Sequence, residues 1–98
     1  MKLVRDKVPE IIEKSGRTCN YKIAQDGNIK ALLHEKLHEE IAEFIETPSY
    51  EEAADVYEVF KALCNHHGMS MFRVELAAVS KRRDYGGFEE KFLLEDDK

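Results

Sequence analysis

Two consecutive helical segments, each with acidic residues on its apolar side, constrain this chain more than any other feature. The first segment is expected to be capped by Asp26 or Asn28 and to end near Glu46. The second is expected to be capped by Ser49 or Thr47 and to continue to about His67. The short break at Thr47-Pro48-Ser49 predicts that the two helices are antiparallel neighbours. An α-helix turns by about 100° per residue, so the face on which each side chain lies follows from its position.

In the first segment, Glu40 falls among apolar side chains. It lies about 20° from Ile29 on the helical wheel, and Glu39 and Glu43 lie at the edge of the apolar arc. That arc contains Ile29, Leu32, Leu33, Leu37, Ile41 and Phe44. A carboxylate directed at a core costs free energy unless it is paired or binds a metal.

The second segment repeats this pattern. Glu52 falls within the apolar arc, and Asp55 lies about 60° away at its border. The arc contains Ala53, Val56, Val59, Phe60 and Leu63. Lys36 is the only nearby base, so the converging carboxylates predict a site for a hard cation, and for Mg²⁺ first, because Mg²⁺ prefers oxygen ligands. The alternative is a solvated acidic face, as acidic runs on helices usually are.

Length and charge narrow the functional classes. Ninety-eight residues predict one domain over residues 1–98, and a net charge of −5 argues against nucleic acid as a partner. Cys19 and Cys64 lack zinc-type spacing and are expected to be reduced thiols of a cytoplasmic protein. No apolar run reaches membrane-spanning length, and no signal peptide is recognisable, so neither a membrane nor secretion is expected.

The remaining segments complete an all-α prediction. Pro9 suits the first turn of a short helix that Gly16 closes, and residues 17–24 alternate as an extended segment would. Ser70 is expected to cap a further helix that ends near Arg83. The apolar residues beyond that helix are expected to pack back on the body; they are Phe88, Phe92, Leu93 and Leu94.

One motif suggests a different chemistry. His34-Glu35-Lys36-Leu37-His38 is a literal HExxH, the signature of zinc proteases. However, His34 and His38 lie roughly 140–180° from Ile29 and therefore away from Glu40 and Glu43. The sequence also offers no edge strand to hold a peptide, so the zinc protease is the remote alternative.

A basic cluster closes the last helix. Lys81, Arg82 and Arg83 precede Gly86-Gly87 and are predicted to contact the phosphates of a nucleotide, for which Arg supplies a fork of donors and Lys a compact charge. Cations in the last turn of a helix also complement its dipole without any ligand.

Three ordered blocks resemble a known family. Glu39-Glu40-Ile41-Ala42-Glu43 followed by Glu52-Ala53-Ala54-Asp55 is similar to the EExxE…ExxD signature of the all-α nucleoside triphosphate pyrophosphohydrolases, the MazG-type superfamily. The blocks beginning at Leu3 and at Lys81 resemble its short phosphoribosyl-ATP pyrophosphohydrolase-like subgroup. The resemblance spans nearly the whole chain.

The resemblance implies a fold, a partner and an activity. Two copies would form an antiparallel bundle with a four-helix core, and the homodimer would cleave a nucleoside triphosphate to monophosphate and pyrophosphate. Carried over by position, the ligands of Mg²⁺ (or of Mn²⁺ as a substitute) would be Glu39, Glu40, Glu43, Glu52 and Asp55. Glu39 is predicted to be the general base. The runner-up function is a non-catalytic, nucleotide-binding or regulatory dimer.

Overall fold

A computed structural model of the chain describes residues 1–95, which form four α-helices and no strand. The helices are α1 (Val8–Lys14), α2 (Asp26–Glu46), α3 (Tyr50–His66) and α4 (Met71–Tyr85). The all-α fold class is therefore confirmed. In this range, no helix combines the length and the apolar character that crossing a bilayer requires.

Serine side chains begin the two helices that follow α2. The hydroxyl of Ser49 accepts a hydrogen bond from the backbone N–H of Glu52 at 3.1 Å, and that of Ser70 accepts one from Arg73 at 3.3 Å. The predicted cap Ser70 is confirmed, and of the two candidates for the cap of α3, Ser49 and Thr47, the structure shows Ser49. The predicted cap of α2 is wrong: Gln25 precedes the helix without a side-chain hydrogen bond, and Asp26 is already helical, where its charge complements the helix dipole.

The centre of the fold is the hairpin of α2 and α3. The three-residue turn between them folds α3 back along α2, and α3 in turn contacts α4. Among residues 1–95, the buried apolar side chains are Leu33 of α2 and Cys64 of α3, which are 6% and 4% exposed. The hairpin therefore has a narrow internal core, and it holds the acidic clusters of the two helices side by side.

The segment that follows α4 does not pack on the body. Phe88 and Phe92 are 94% and 88% exposed, and Leu93 and Leu94 are exposed as well. The chain leaves α4 at Gly86, whose φ of 84° lies in the left-handed region that glycine adopts readily. The expectation that this segment folds back is wrong, because apolar composition indicates that side chains need a partner surface but not where that surface lies.

A single chain leaves an unusually large surface exposed. Its accessible area is 9001 Å², whereas a folded monomer of 11.4 kDa has about 5,800 Å². The radius of gyration is 17.7 Å, against about 13 Å for a compact domain of this length. Exposed apolar side chains occur on all three long helices and include Ile41, Phe44, Ile45, Tyr57, Phe60, Phe72, Leu76 and Val79. The chain alone therefore does not cover its apolar faces.

Candidate metal centre

The acidic clusters of α2 and α3 meet at one place in the hairpin, here called the acidic site. It consists of Glu39, Glu40, Glu43, Glu52 and Asp55. Oxygens of Glu39, Glu40 and Glu43 lie within 4.8 Å of one another, and so do oxygens of Glu40, Glu52 and Asp55. Because Glu40 belongs to both groups, the five predicted residues form one continuous cluster.

Helix geometry explains why these side chains converge. Glu40 and Glu43 are three residues apart near the end of α2, and Glu52 and Asp55 are three residues apart near the start of α3. Residues at this spacing share a helix face. Since the turn between the helices is short, the last turns of α2 lie beside the first turns of α3. The bond from the N–H of Glu52 to Ser49 fixes the start of α3.

Glu40 is the only charged side chain that is buried among residues 1–95, with 6% of its surface exposed. One of its oxygens pairs with Lys36, whereas Oε2 is buried with no hydrogen-bond partner in the described part of the chain. Glu52 Oε2 is likewise buried without a hydrogen-bond partner in that part of the chain. A buried carboxylate oxygen without a partner costs free energy. An oxygen-seeking cation would supply the missing interaction at both atoms, so the donor set fits Mg²⁺.

Lys36 neutralises part of the site from within α2. Its ammonium group lies 3.1 Å from Glu40 and 3.3 Å from Glu39. Burial lowers the pKa of Lys36, but hydrogen bonds and charge interactions with Glu40 and Glu39 outweigh it, so the pKa is raised above the ordinary lysine value. Lys36 therefore offsets one of the five carboxylate charges from within α2, and the excess of negative charge favours an added cation.

The two carboxyls at the edge of the first cluster differ in their pKa values. Hydrogen bonding and charge interaction with Lys36 hold the pKa of Glu39 below its usual value, with a smaller contribution from Lys2. The charge of Glu40, followed by burial, raises the pKa of Glu43. Glu39 thus lies on the side of the site nearest the cations, whereas Glu43 lies where negative charges repel one another.

The amino-terminal segment contributes two cations that sequence reasoning did not assign to this site. Arg5 pairs with Asp55 at 2.7 Å, and Lys2 approaches Glu39 at 3.5 Å. Met1, Lys2 and Leu3 also line a cavity of about 120 Å³ beside α2. The segment therefore lies against the acidic site. The only sequence signal for this is the positive charge of Lys2, Arg5 and Lys7, which does not indicate where the segment docks.

The predicted phosphate cluster lies elsewhere in the chain. Arg82 pairs with Glu89 and Arg83 with Asp84, each at 3.2 Å. Lys81 and Arg82 line an open pocket of about 670 Å³ together with Ala78, Tyr85, Gly86, Gly87 and Phe88. No residue of the acidic site lines this pocket. One copy of the chain therefore does not join the basic cluster to the acidic site.

The HExxH histidines are not part of any potential metal site in residues 1–95. His34 and His38 are exposed on α2, and the groups of side chains near enough to share an ion contain carboxylates alone. A zinc protease requires both histidines on one ion. The geometry therefore gives this alternative no support.

Comparisons with known proteins add no further constraint. Neither a family model nor a curated protein nor a solved structure matches this chain.

Proposed function

We propose that the chain is a Mg²⁺-dependent nucleoside triphosphate pyrophosphohydrolase of the MazG-type superfamily, with Mn²⁺ as a possible substitute ion. The observation that carries the proposal is Glu40, which belongs to both carboxylate groups and whose buried Oε2 lacks a hydrogen-bond partner in residues 1–95. A purely structural acidic face would be exposed to water. The sequence resemblance supplies the reaction, and the geometry supports the metal centre that such a reaction needs.

Each residue of the acidic site has a proposed task. Glu40, Glu52 and Asp55 would hold Mg²⁺ between α2 and α3, and Glu43 and Glu39 would complete the oxygen ligands from α2. When bound, the ion supplies charge compensation for the leaving pyrophosphate and makes a nearby water molecule more acidic. Glu39, at the edge of the cluster, is proposed to accept the proton of the attacking water.

The proposed substrate enters a site with a large excess of negative charge. A nucleoside triphosphate carries about four negative charges near neutral pH, so it can approach five carboxylates only as a metal complex. Lys36 offsets part of this charge through its pairs with Glu39 and Glu40. We also propose Lys81, Arg82 and Arg83 as phosphate contacts, which requires a second copy of the chain to bring them to the acidic site.

We propose that two copies pair through their α2–α3 hairpins into a four-helix core. One chain exposes about 3,200 Å² more surface than a compact monomer of its mass. Obligate homodimers bury about 2,000–5,000 Å² in total, or about 1,000–2,500 Å² of each copy, so a second copy accounts for a large part of this excess. Cys19 and Cys64 are free thiols, which is consistent with the predicted cytoplasmic location.

One observation favours a second candidate, a non-catalytic nucleotide-binding or regulatory dimer. In one chain the basic pocket beside Lys81 and Arg82 is separate from the acidic site. A protein that binds phosphates at one place and a metal at another could sense nucleotides without cleaving them. The two candidates differ in one measurable property: only the hydrolase would cleave a nucleoside triphosphate.

A panel of nucleoside triphosphates incubated with Mg²⁺ and assayed for pyrophosphate tests the proposal. We expect release from at least one nucleotide and its loss in Glu40→Gln and Asp55→Asn, both of which keep the shape of the side chain. Glu58→Gln, an exposed carboxylate on α3, is the matched control and is expected to retain activity. If no nucleotide yields pyrophosphate, the binding protein is the better interpretation.

A further inference from the structure

We infer that Arg5 is a phosphate-contacting residue of the acidic site, and that a divalent ion bound at Asp55 weakens the pair between Arg5 and Asp55. The inference rests on the proposed function and gives a role to Arg5, which lies in the block beginning at Leu3 but has no role assigned by the resemblance. It identifies the positively charged side chain that would contact the substrate's phosphates at the proposed metal site.

The position of Arg5 supports this role. One guanidinium nitrogen lies 2.7 Å from Asp55 Oδ1, and Asp55 shares a carboxylate group with Glu40 and Glu52. The backbone of Arg5 is held in place by a hydrogen bond. Its carbonyl oxygen accepts this bond, 3.0 Å long, from the N–H of Val8, where α1 begins. The guanidinium is thus held beside the point where the oxygens of α2 and α3 converge.

The chemistry of the side chain also fits a phosphate. A guanidinium has five N–H donors in a planar fork that matches the oxygens of carboxylates and phosphates. The structure records one side-chain hydrogen bond for Arg5 within residues 1–95, the bond to Asp55. Its side chain is 55% exposed, so its other donors can reach a ligand from solvent. Arg5 can therefore bind a phosphate with donors that Asp55 does not occupy.

The other cations near the site are less suitable. Lys36 is 15% exposed and already bridges Glu39 and Glu40. Lys2 pairs with the other carboxylate group, Glu39–Glu40–Glu43, where its ammonium nitrogen lies 3.5 Å from an oxygen of Glu39. Arg5 alone is half exposed and faces the Glu40–Glu52–Asp55 group. When Asp55 shares its charge with a divalent ion, its attraction for Arg5 weakens, and the guanidinium becomes available to the incoming phosphate.

Two binding measurements on the full-length chain test the inference. The first is titration with Mn²⁺ alone, and the second is titration with inorganic tripolyphosphate in the presence of Mg²⁺, which provides phosphate charge without a base. We expect Arg5→Gln to weaken tripolyphosphate binding by about 10- to 100-fold, as for loss of a charge-assisted hydrogen bond. Binding of Mn²⁺ alone should be unchanged or up to about fivefold tighter, because an exposed pair with Asp55 competes only weakly.

Two variants make the comparison specific. Lys7→Gln removes the same charge from the same segment at an exposed position, and it should leave both affinities unchanged. Arg5→Lys keeps the charge but loses the fork, and it should lose less tripolyphosphate affinity than Arg5→Gln. Urea unfolding of each variant verifies that the fold is retained.

The outcomes separate this inference from the proposed function. Equal tripolyphosphate affinities of Arg5→Gln and Lys7→Gln would overturn the phosphate role of Arg5 and leave the metal centre intact. Weaker binding of Mn²⁺ alone to Arg5→Gln would also overturn it, since Arg5 would then act by orienting Asp55. If the wild-type protein binds no Mn²⁺, the metal centre itself fails, and the role of Arg5 fails with it.

Discussion

Glu40 illustrates how much of the site could be predicted from single residues. Its position 20° from Ile29 on the helical wheel placed a carboxylate on the apolar side of α2, and its side chain is indeed buried. Glu52 lies beside it for the same geometric reason. Helical periodicity is a local property, so these positions can be derived from the sequence of each segment. The ion that would bind them is not determined in this way.

Arg5 illustrates what could not be predicted. Fifty residues separate it from Asp55, and the segment that carries it has no periodic pattern. Its contact depends on how α1 and the preceding residues lie against the hairpin. The positive charge of Arg5 does not by itself indicate which carboxylate it will meet.

At the scale of one residue, we predict that Glu43→Gln stabilises the metal-free protein in a pH-dependent way. Glu43 has a folded-state pKa that is raised, chiefly by the charge of Glu40. A raised carboxyl pKa means that the folded state binds the proton more tightly, so Glu43 costs stability as the pH rises through this pKa. The stability gain of Glu43→Gln should therefore be absent below about pH 4 and complete near neutral pH.

Urea unfolding of wild type and Glu43→Gln at several pH values, with a metal chelator present, measures this gain. The lowered pKa of Glu39 produces the opposite pH trend, but it is common to both proteins and cancels in the difference. Glu58→Gln should show no such gain. A Glu43→Gln variant that is less stable than wild type at neutral pH would contradict the repulsion inferred here.

At the scale of the elements, the helices were predicted well where their ends carry specific chemistry. Ser49 and Ser70 cap α3 and α4 as expected, because a serine hydroxyl can accept the orphan N–H of the first turn. The start of α2 lacks such a bond, and the prediction failed there. The segment after α4 was also predicted wrongly, since its position depends on surfaces beyond the element itself.

The two caps provide a matched pair of variants. Ser49→Ala and Ser70→Ala should each lower the free energy of unfolding by about 1 kcal/mol, the usual cost of a lost cap. Only Ser49→Ala should also weaken Mn²⁺ binding, by up to about tenfold, because the bond from the N–H of Glu52 to Ser49 fixes a ligand-bearing turn. Calorimetric titration gives the affinities. An equal loss of affinity in both variants would show that the cap affects the site only through overall stability.

At the scale of the whole molecule, the exposed apolar faces lead to a prediction about assembly. We expect sedimentation to give twice the 11.4 kDa of one chain at micromolar concentration. Phe60 lies on the apolar arc of α3 and remains 40% exposed, so Phe60→Ser should shift the protein toward the single chain. Phe92→Ser removes an equally apolar side chain outside the hairpin and is the control. A wild-type protein that sediments as one chain would contradict the proposed pairing.

The surface that one chain leaves uncovered also determines how the protein behaves at the bench. If the hairpins support each other across two copies, dilution separates them by mass action, and the separated chains lose part of their helical scaffold. Specific activity would then fall as stock solutions are diluted, and progress curves would begin with a lag while chains reassociate. A screen at nanomolar protein would score a working hydrolase as inactive, whereas the same screen at micromolar protein would detect it.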